Sequence, residues 1–304
     1  MAWSKRQLEE ALTAYELALV KAGRTGGTVT TYVGDARRFV EWLAGERDLG
    51  ARPLTRGSRA TRPVVRVRRA GTGSLVPPPV ALRKLVDDWE NQGRPAQVAM
   101  PWPRDRWEAA FPAHKRVLRA LPAALDRAAV RSVCARAGAS ETAAQEALFA
   151  TLAWGYGWVG VGPHRADAML LSPDAAKRLR AVAKIAANEG AIAAYRSLGR
   201  EIRIKGLGPA FGTKFIAFCQ PEGVLPAALI HDELVTAWLE ANGRADLRAS
   251  TWAPPKYEAY LDQMGAWAKE LRVTPETIEY LIFQDEADRR PGNQWASRAD
   301  RAGN

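Results

Sequence analysis

Residues 202–218 carry the most specific chemistry in this chain, because Lys205-Gly206-Leu207-Gly208-Pro209-Ala210 makes a tight glycine turn between two helical runs. Glycine lets the backbone turn sharply and approach a phosphate closely, and Pro209 suits the first position of a helix, where its missing amide costs nothing. Free amides at such a helix start can hold an anionic oxygen. Leu207 is expected to plug between the helices, and Lys205, Gly206, Leu207, Gly208 and Ala210 to meet a phosphate-bearing partner. Downstream, Leu229-Ile230-His231-Asp232 leads into the amphipathic run 233–239, which ends at Asn242-Gly243. Asp232 stands where the N-cap of that helix belongs.

Other chemistries are poorly provided for. Two cysteines, Cys134 and Cys219, cannot build a disulfide framework or a four-cysteine cluster within one chain, and are expected as small apolar core filler. His114, His164 and His231 lie far apart, so no zinc-ligand spacing is present. Metal-free, cofactor-free chemistry is expected. With 44 Lys and Arg against 33 acidic residues in 304, the net charge of +11 favours a polyanionic partner, nucleic acid first. No run approaches the roughly 18 to 20 apolar residues that span a bilayer, and no apolar signal core follows Met1. The expectation is a cytoplasmic protein without membrane partners.

The elements that must position these residues read as helices throughout. Leu8, Leu12, Tyr15 and Leu19 share one face of a first helix, and residues 29–43 repeat the period in a second. Ala22-Gly23-Arg24-Thr25, Tyr32 and Arg37-Arg38-Phe39 make this pair similar to the core-binding domain of tyrosine recombinases. That enzyme's His-x-x-Arg element is missing, since Val117, Asp167 and Leu234 follow the three histidines at that spacing. Residues 47–79 form a basic linker with Arg47, Arg52, Arg56, Arg59, Arg62, Arg66, Arg68 and Arg69, either a solvated connector or an arm tracking DNA. Pro77-Pro78-Pro79 closes it. Helical runs follow at 82–89, 114–121, 125–137, 141–154, 174–188 and 191–202, and no run alternates long enough to suggest a sheet. The fold class is all-α: a small helical segment (1–46), the linker (47–79), a main domain (80–290) and a tail (291–304).

A hairpin, a loop with Gly223 and Pro226 and then an aspartate reproduce the order found in the helix-hairpin-helix DNA glycosylases. Residues 206–215 and Leu229-Ile230-His231-Asp232 resemble bacterial proteins of the 8-oxoguanine DNA glycosylase fold, and Trp154-Gly155-Tyr156-Gly157 after a long helix fits them too. The resemblance covers about 80–287. It implies that Asp232 supports glycosidic cleavage by stabilising the oxocarbenium-like sugar and positioning the nucleophile, where a carboxylate acts strongly in a dry site. Bifunctional relatives add a lysine that forms a Schiff base. Matching on Gly212-Thr213-Lys214 gives Lys214 that role; matching on Gly206-Leu207-Gly208 puts Ala210 there instead. Lys214 is therefore read either as the nucleophile or as a phosphate contact or exposed charge, and a monofunctional enzyme using water is expected.

The resemblance also implies base flipping, for which Trp154, Tyr156, Trp158, His164 and Arg165 are candidate pocket residues. Either Trp154 and Trp158 stack on the base, or they belong to the core. The expected partner is double-stranded DNA with modified bases, bound by a monomer. The basic N-terminal segment and the unusual lysine register point to bulky bases of phage DNA, such as glucosylated hydroxymethylcytosine, in antiviral defence. The alternatives are repair of oxidised guanine and a non-catalytic DNA-binding protein.

Overall fold

A computed structural model describes residues 5–21, 33, 36–37, 75–158, 161–248, 251–290 and 292–296. Most of the second N-terminal helix expected over 29–43 lies outside the described residues, as do residues 22–25, the linker arginines and tail residues 297–304. The chain divides into two units, Met1–Arg66 and Val67–Asn304. In the first, helix α1 (Lys5–Lys21) turns Leu12 inward, where it is buried with Val33.

Among its described residues the second unit is helical but for one short pair of strands. Residues 75–79, expected to belong to the linker, are tied to this unit: Gln263 Nε2 and Trp267 Nε1 donate to the Val76 carbonyl at 2.9 and 2.8 Å. Helix α2 (Val80–Asn91) follows the three prolines. Strands β1 (Met100–Pro101) and β2 (Ala124–Leu125) pair antiparallel with Met100 opposite Leu125, too short a ladder for alternation to register. Between them lie α3 (Arg104–Ala110), a 3₁₀ turn at Pro112–His114 and α4 (Lys115–Ala120). Helix α5 (Arg127–Cys134) starts later than the expected 125 because Leu125 is taken by β2 and the Asp126 side chain caps the helix, accepting from the Ala129 amide at 2.7 Å.

Helix α6 (Glu141–Tyr156) is the axis of this unit. Ser140 caps it, its hydroxyl accepting from the Ala143 amide at 3.0 Å, and every residue from Ala147 to Trp154 is buried. A helix apolar on all sides must be wrapped. The wrapping comes from α5, α7 (Gly162–Leu170), α8 (Ala175–Asn188) and α10 (Pro209–Cys219). Truncating Leu148 or Leu152 to alanine there should cost about 2–5 kcal/mol. Helix α9 (Ala191–Gly199) packs on α8 and α10, stopping short of the expected 202. Helices α11 (Glu233–Ala241), α12 (Pro254–Leu271) and α13 (Pro275–Asp288) complete the fold, with α13 against α11, α12 and α2. No described helix is long and apolar enough to cross a membrane.

Candidate active site

Residues 227–232 run to the start of α11 without belonging to any regular element, so their backbone groups must find partners elsewhere. Side chains supply them. Gln220 donates to the Pro226 carbonyl at 3.2 Å and accepts from the Ala228 amide. Tyr257 and Tyr260, one helical turn apart on α12, donate to the carbonyls of Leu229 (2.9 Å) and Ile230 (2.8 Å). From α10, the Thr213 hydroxyl accepts from the His231 amide at 3.1 Å.

This bracing delivers Asp232 to the N-cap of α11 and to the lysine that follows Thr213. One carboxylate oxygen, Oδ1, accepts from the amides of Leu234 (3.1 Å) and Val235 (3.2 Å); the other, Oδ2, accepts from Lys214 Nζ at 2.5 Å. Both side chains are nearly enclosed, 6% exposed for Lys214 and 11% for Asp232. Burial alone would push the carboxyl up, yet the Lys214 ammonium, its hydrogen bond and the Val235 amide together hold it below the usual aspartate value. The expectation of Lys214 as an exposed charge is thus corrected, because its ammonium is drawn inward onto a buried carboxylate. Ala210, one turn earlier, has no group to offer Asp232.

The wall beside the lysine comes from the end of α6. A Cβ on Gly155 would lie 2.6 Å from the Phe211 ring and 3.4 Å from Lys214 Cδ, so glycine is needed for this approach. Tyr156 stacks on Phe211 with centroids 4.4 Å apart, and the Lys214 ammonium sits 5.4 Å from the Phe211 ring centre. No motif in the sequence marks Phe211, Tyr257 or Tyr260 as site residues, although the i, i+3 spacing of the tyrosines is a visible signal.

The other expected site residues fall in three places. Trp154 is 1% exposed, packed edge-on to Phe218 and under the Arg127 guanidinium at 5.5 Å, so it is a core residue and not a free stacking surface. Trp158, His164 and Arg165 are exposed, on the turn after α6 and the start of α7. In the turn between α9 and α10, Leu207 is buried while Lys205, Gly206 and Gly208 face solvent, and Ala210 at the start of α10 is half-buried. Gly206 has φ +86°, which demands glycine. Cys134 and Cys219 are both buried and free.

A second buried ion pair adjoins the first. Arg127 of α5 binds Glu279 of α13 through two hydrogen bonds, 2.7 and 2.9 Å, and donates a third to Gln97 at 2.8 Å. Burial pushes the Glu279 carboxyl up, Arg127 opposes this, and the Asp232 charge adds to the rise. No spacing in the sequence links residues 152 positions apart. His231 is buried against Tyr260, with rings 4.4 Å apart and both ring nitrogens lacking a partner among the described residues; burial lowers its pKa to about 4. A cleft of about 410 Å³ lined by Trp89, Gln97, Tyr280, Asp285 and Trp295 is separate, since neither Lys214 nor Asp232 lines it.

With this geometry in hand, comparison with known families gives one match: the family described as "putative 8-oxoguanine DNA glycosylase OGG-like protein" matches residues 93–283. No curated protein and no solved structure matches the chain. The matched span is more than half of the chain and includes the turn 200–208, Lys214, Asp232 and Glu279, and the chain belongs to this OGG-like DNA glycosylase family.

Proposed function

We propose that this OGG-like DNA glycosylase excises a modified base from duplex DNA with Asp232 as the stabilising carboxylate and Lys214 as the attacking amine. The observation that supports this best is the buried 2.5 Å contact between Lys214 Nζ and Asp232 Oδ2. A carboxyl held below its usual range is ionised at neutral pH, and in a dry site it acts most strongly where positive charge develops on the departing sugar. Lys214 must first give up a proton, and Asp232 is the base within reach. The amine then bonds to C1′ while the C1′–N bond breaks; the departing base takes that bond's electron pair and the proton from Asp232, whose carboxylate is charged again as positive charge develops on the sugar. A second amine proton then passes through Asp232 to the sugar ring oxygen as the ring opens to the protonated Schiff base.

Borohydride tests this. It should trap a covalent protein–DNA adduct during turnover, lost in Lys214→Ala. The same ion pair also supports a monofunctional route, because a lysine that stays protonated is no nucleophile; water would then attack, abasic sites would accumulate on intact strands and no adduct would form.

Two substrates are supported by different features. The family's description supports 8-oxoguanine. The basic segment ahead of the matched residues supports a bulky phage base such as glucosylated hydroxymethylcytosine, in antiviral defence by a monomer whose turn 200–208 clamps phosphate as a helix-hairpin-helix. Mass spectrometry of bases released from cellular and phage DNAs separates them, and release of none would count against the glycosylase function itself.

A further inference from the structure

We infer that Trp158 enters the DNA duplex and fills the space vacated by the extruded nucleotide. This rests on the glycosylase function just proposed and adds the residue that holds the duplex open. Trp158 is 60% exposed, whereas Trp102, Trp107, Trp154, Trp238 and Trp267 are buried. Tryptophan, apolar in body and polar at its N–H, is enriched where proteins meet partners, and this exposed one directly follows the wall of the site.

Its root is fixed and its tip is free. Gly157, just before it, has φ +50°, and a Cβ there would lie 2.8 Å from Gln294 Oε1 and 2.9 Å from Met100 Cγ. Gln294 also donates to the Tyr156 carbonyl at 3.0 Å, so the turn is seated on a firm floor. Three residues back, Gly155 lies close against Phe211 and Lys214, and three residues of chain can separate the Cα atoms of Trp158 and Gly155 by no more than about 11 Å. The exposed indole is therefore carried by the chain segment that borders the lysine.

Its surroundings suit a polyanion. Exposed His164 and Arg165 lie at the start of α7, and Arg165 is close enough to Tyr156 to act on its hydroxyl's pKa. At the other end of α7, Met169 Cγ lies 3.3 Å from where a Gly206 Cβ would be, which joins α7 to the turn 200–208 with its exposed Lys205. Arg165 near one end of α7 and Lys205 beside its other end are exposed and could meet phosphates, with Asp167 between them the one exposed acid of that helix, and minor-groove proteins insert apolar side chains into DNA between such contacts. Extrusion of a base costs stacking, which an inserted indole restores in part.

The test uses the full chain and a duplex carrying one tetrahydrofuran abasic analogue flanked by thymines, with the intact duplex alongside. Trp158→Ala should weaken binding to the abasic duplex roughly tenfold relative to the intact one, the scale of one lost stacking contact. Permanganate oxidation of the flanking thymines, raised by the unaltered chain, should fall to the free-DNA level with Trp158→Ala and persist with Trp158→Phe. Equal weakening on both duplexes, or unchanged permanganate reactivity, would overturn the assignment. Both readouts need binding alone, so a chain that releases no base fails the glycosylase function while the permanganate comparison still decides the role of Trp158.

Discussion

Residues 227–232 and the surface formed by Trp158, the start of α7 and the turn 200–208 are held in opposite ways. The first is gripped by Gln220, Tyr257, Tyr260 and Thr213, and its aspartate is enclosed. The second is anchored at Gly157 and Gly206 and leaves Trp158, His164, Arg165 and Lys205 in water. Bond-breaking chemistry needs charges fixed before the substrate arrives, because their reorganisation would cost part of the stabilisation they supply. A surface that meets a long polyanion needs reachable groups instead.

The contrast can be broken most directly at Asp232. Asp232→Asn keeps an oxygen to accept the Leu234 and Val235 amides, so circular dichroism should show α11 intact while base release falls by about 10²–10³. Near-normal release would move the chemistry away from the enclosed region. Because the folded carboxyl is held below 3.8, its stabilising contribution is present above that pH and should fade as pH falls further. Next in size is Glu279→Gln, which strands the Arg127 cation and should lower the free energy of unfolding in urea by roughly 3 kcal/mol. A loss under about 0.5 kcal/mol, typical of surface substitutions, would show that the second ion pair braces nothing.

His231 sharpens the comparison through pH. Its pKa drops from 6.5 unfolded to about 4 folded, so its contribution is fully present above 6.5 and is lost as pH falls toward 4, on the order of 3 kcal/mol in all. His231→Phe, which keeps a ring against Tyr260, should lose less stability than the unaltered chain across that window. The smallest effect is expected at the exposed surface. Lys205→Ala should reduce the salt dependence of DNA binding by about one counterion and leave the rate of base release at saturation unchanged.

What was legible in the sequence follows from how local each cause is. Asp232 was readable as an N-cap because capping acts over three residues, and the starts of α6, α8 and α9 were found within a residue by their period and preceding caps or glycine. The lysine register was not, since Ala210 and Lys214 share a helix face and only the approach of residues 227–232 decides which meets the carboxylate. Trp154 shows the limit of composition: an aromatic beside glycines reads equally as a stacking platform or as core, and burial alone separates the two. The pairing of Arg127 with Glu279, across most of the main unit, left no trace in spacing.

The bracing of residues 227–232 also makes a distinct signature in time. The amides of Ala228 and His231 are given to Gln220 and Thr213 and the carbonyls of Leu229 and Ile230 to two tyrosines, so the segment is protected without a neighbouring strand. In deuterium exchange, these amides would be replaced as slowly as those of the surrounding helices and would open only when α10 and α12 part. The clock of that exchange would therefore report on the joint between two helices, though the signal comes from a stretch that belongs to neither.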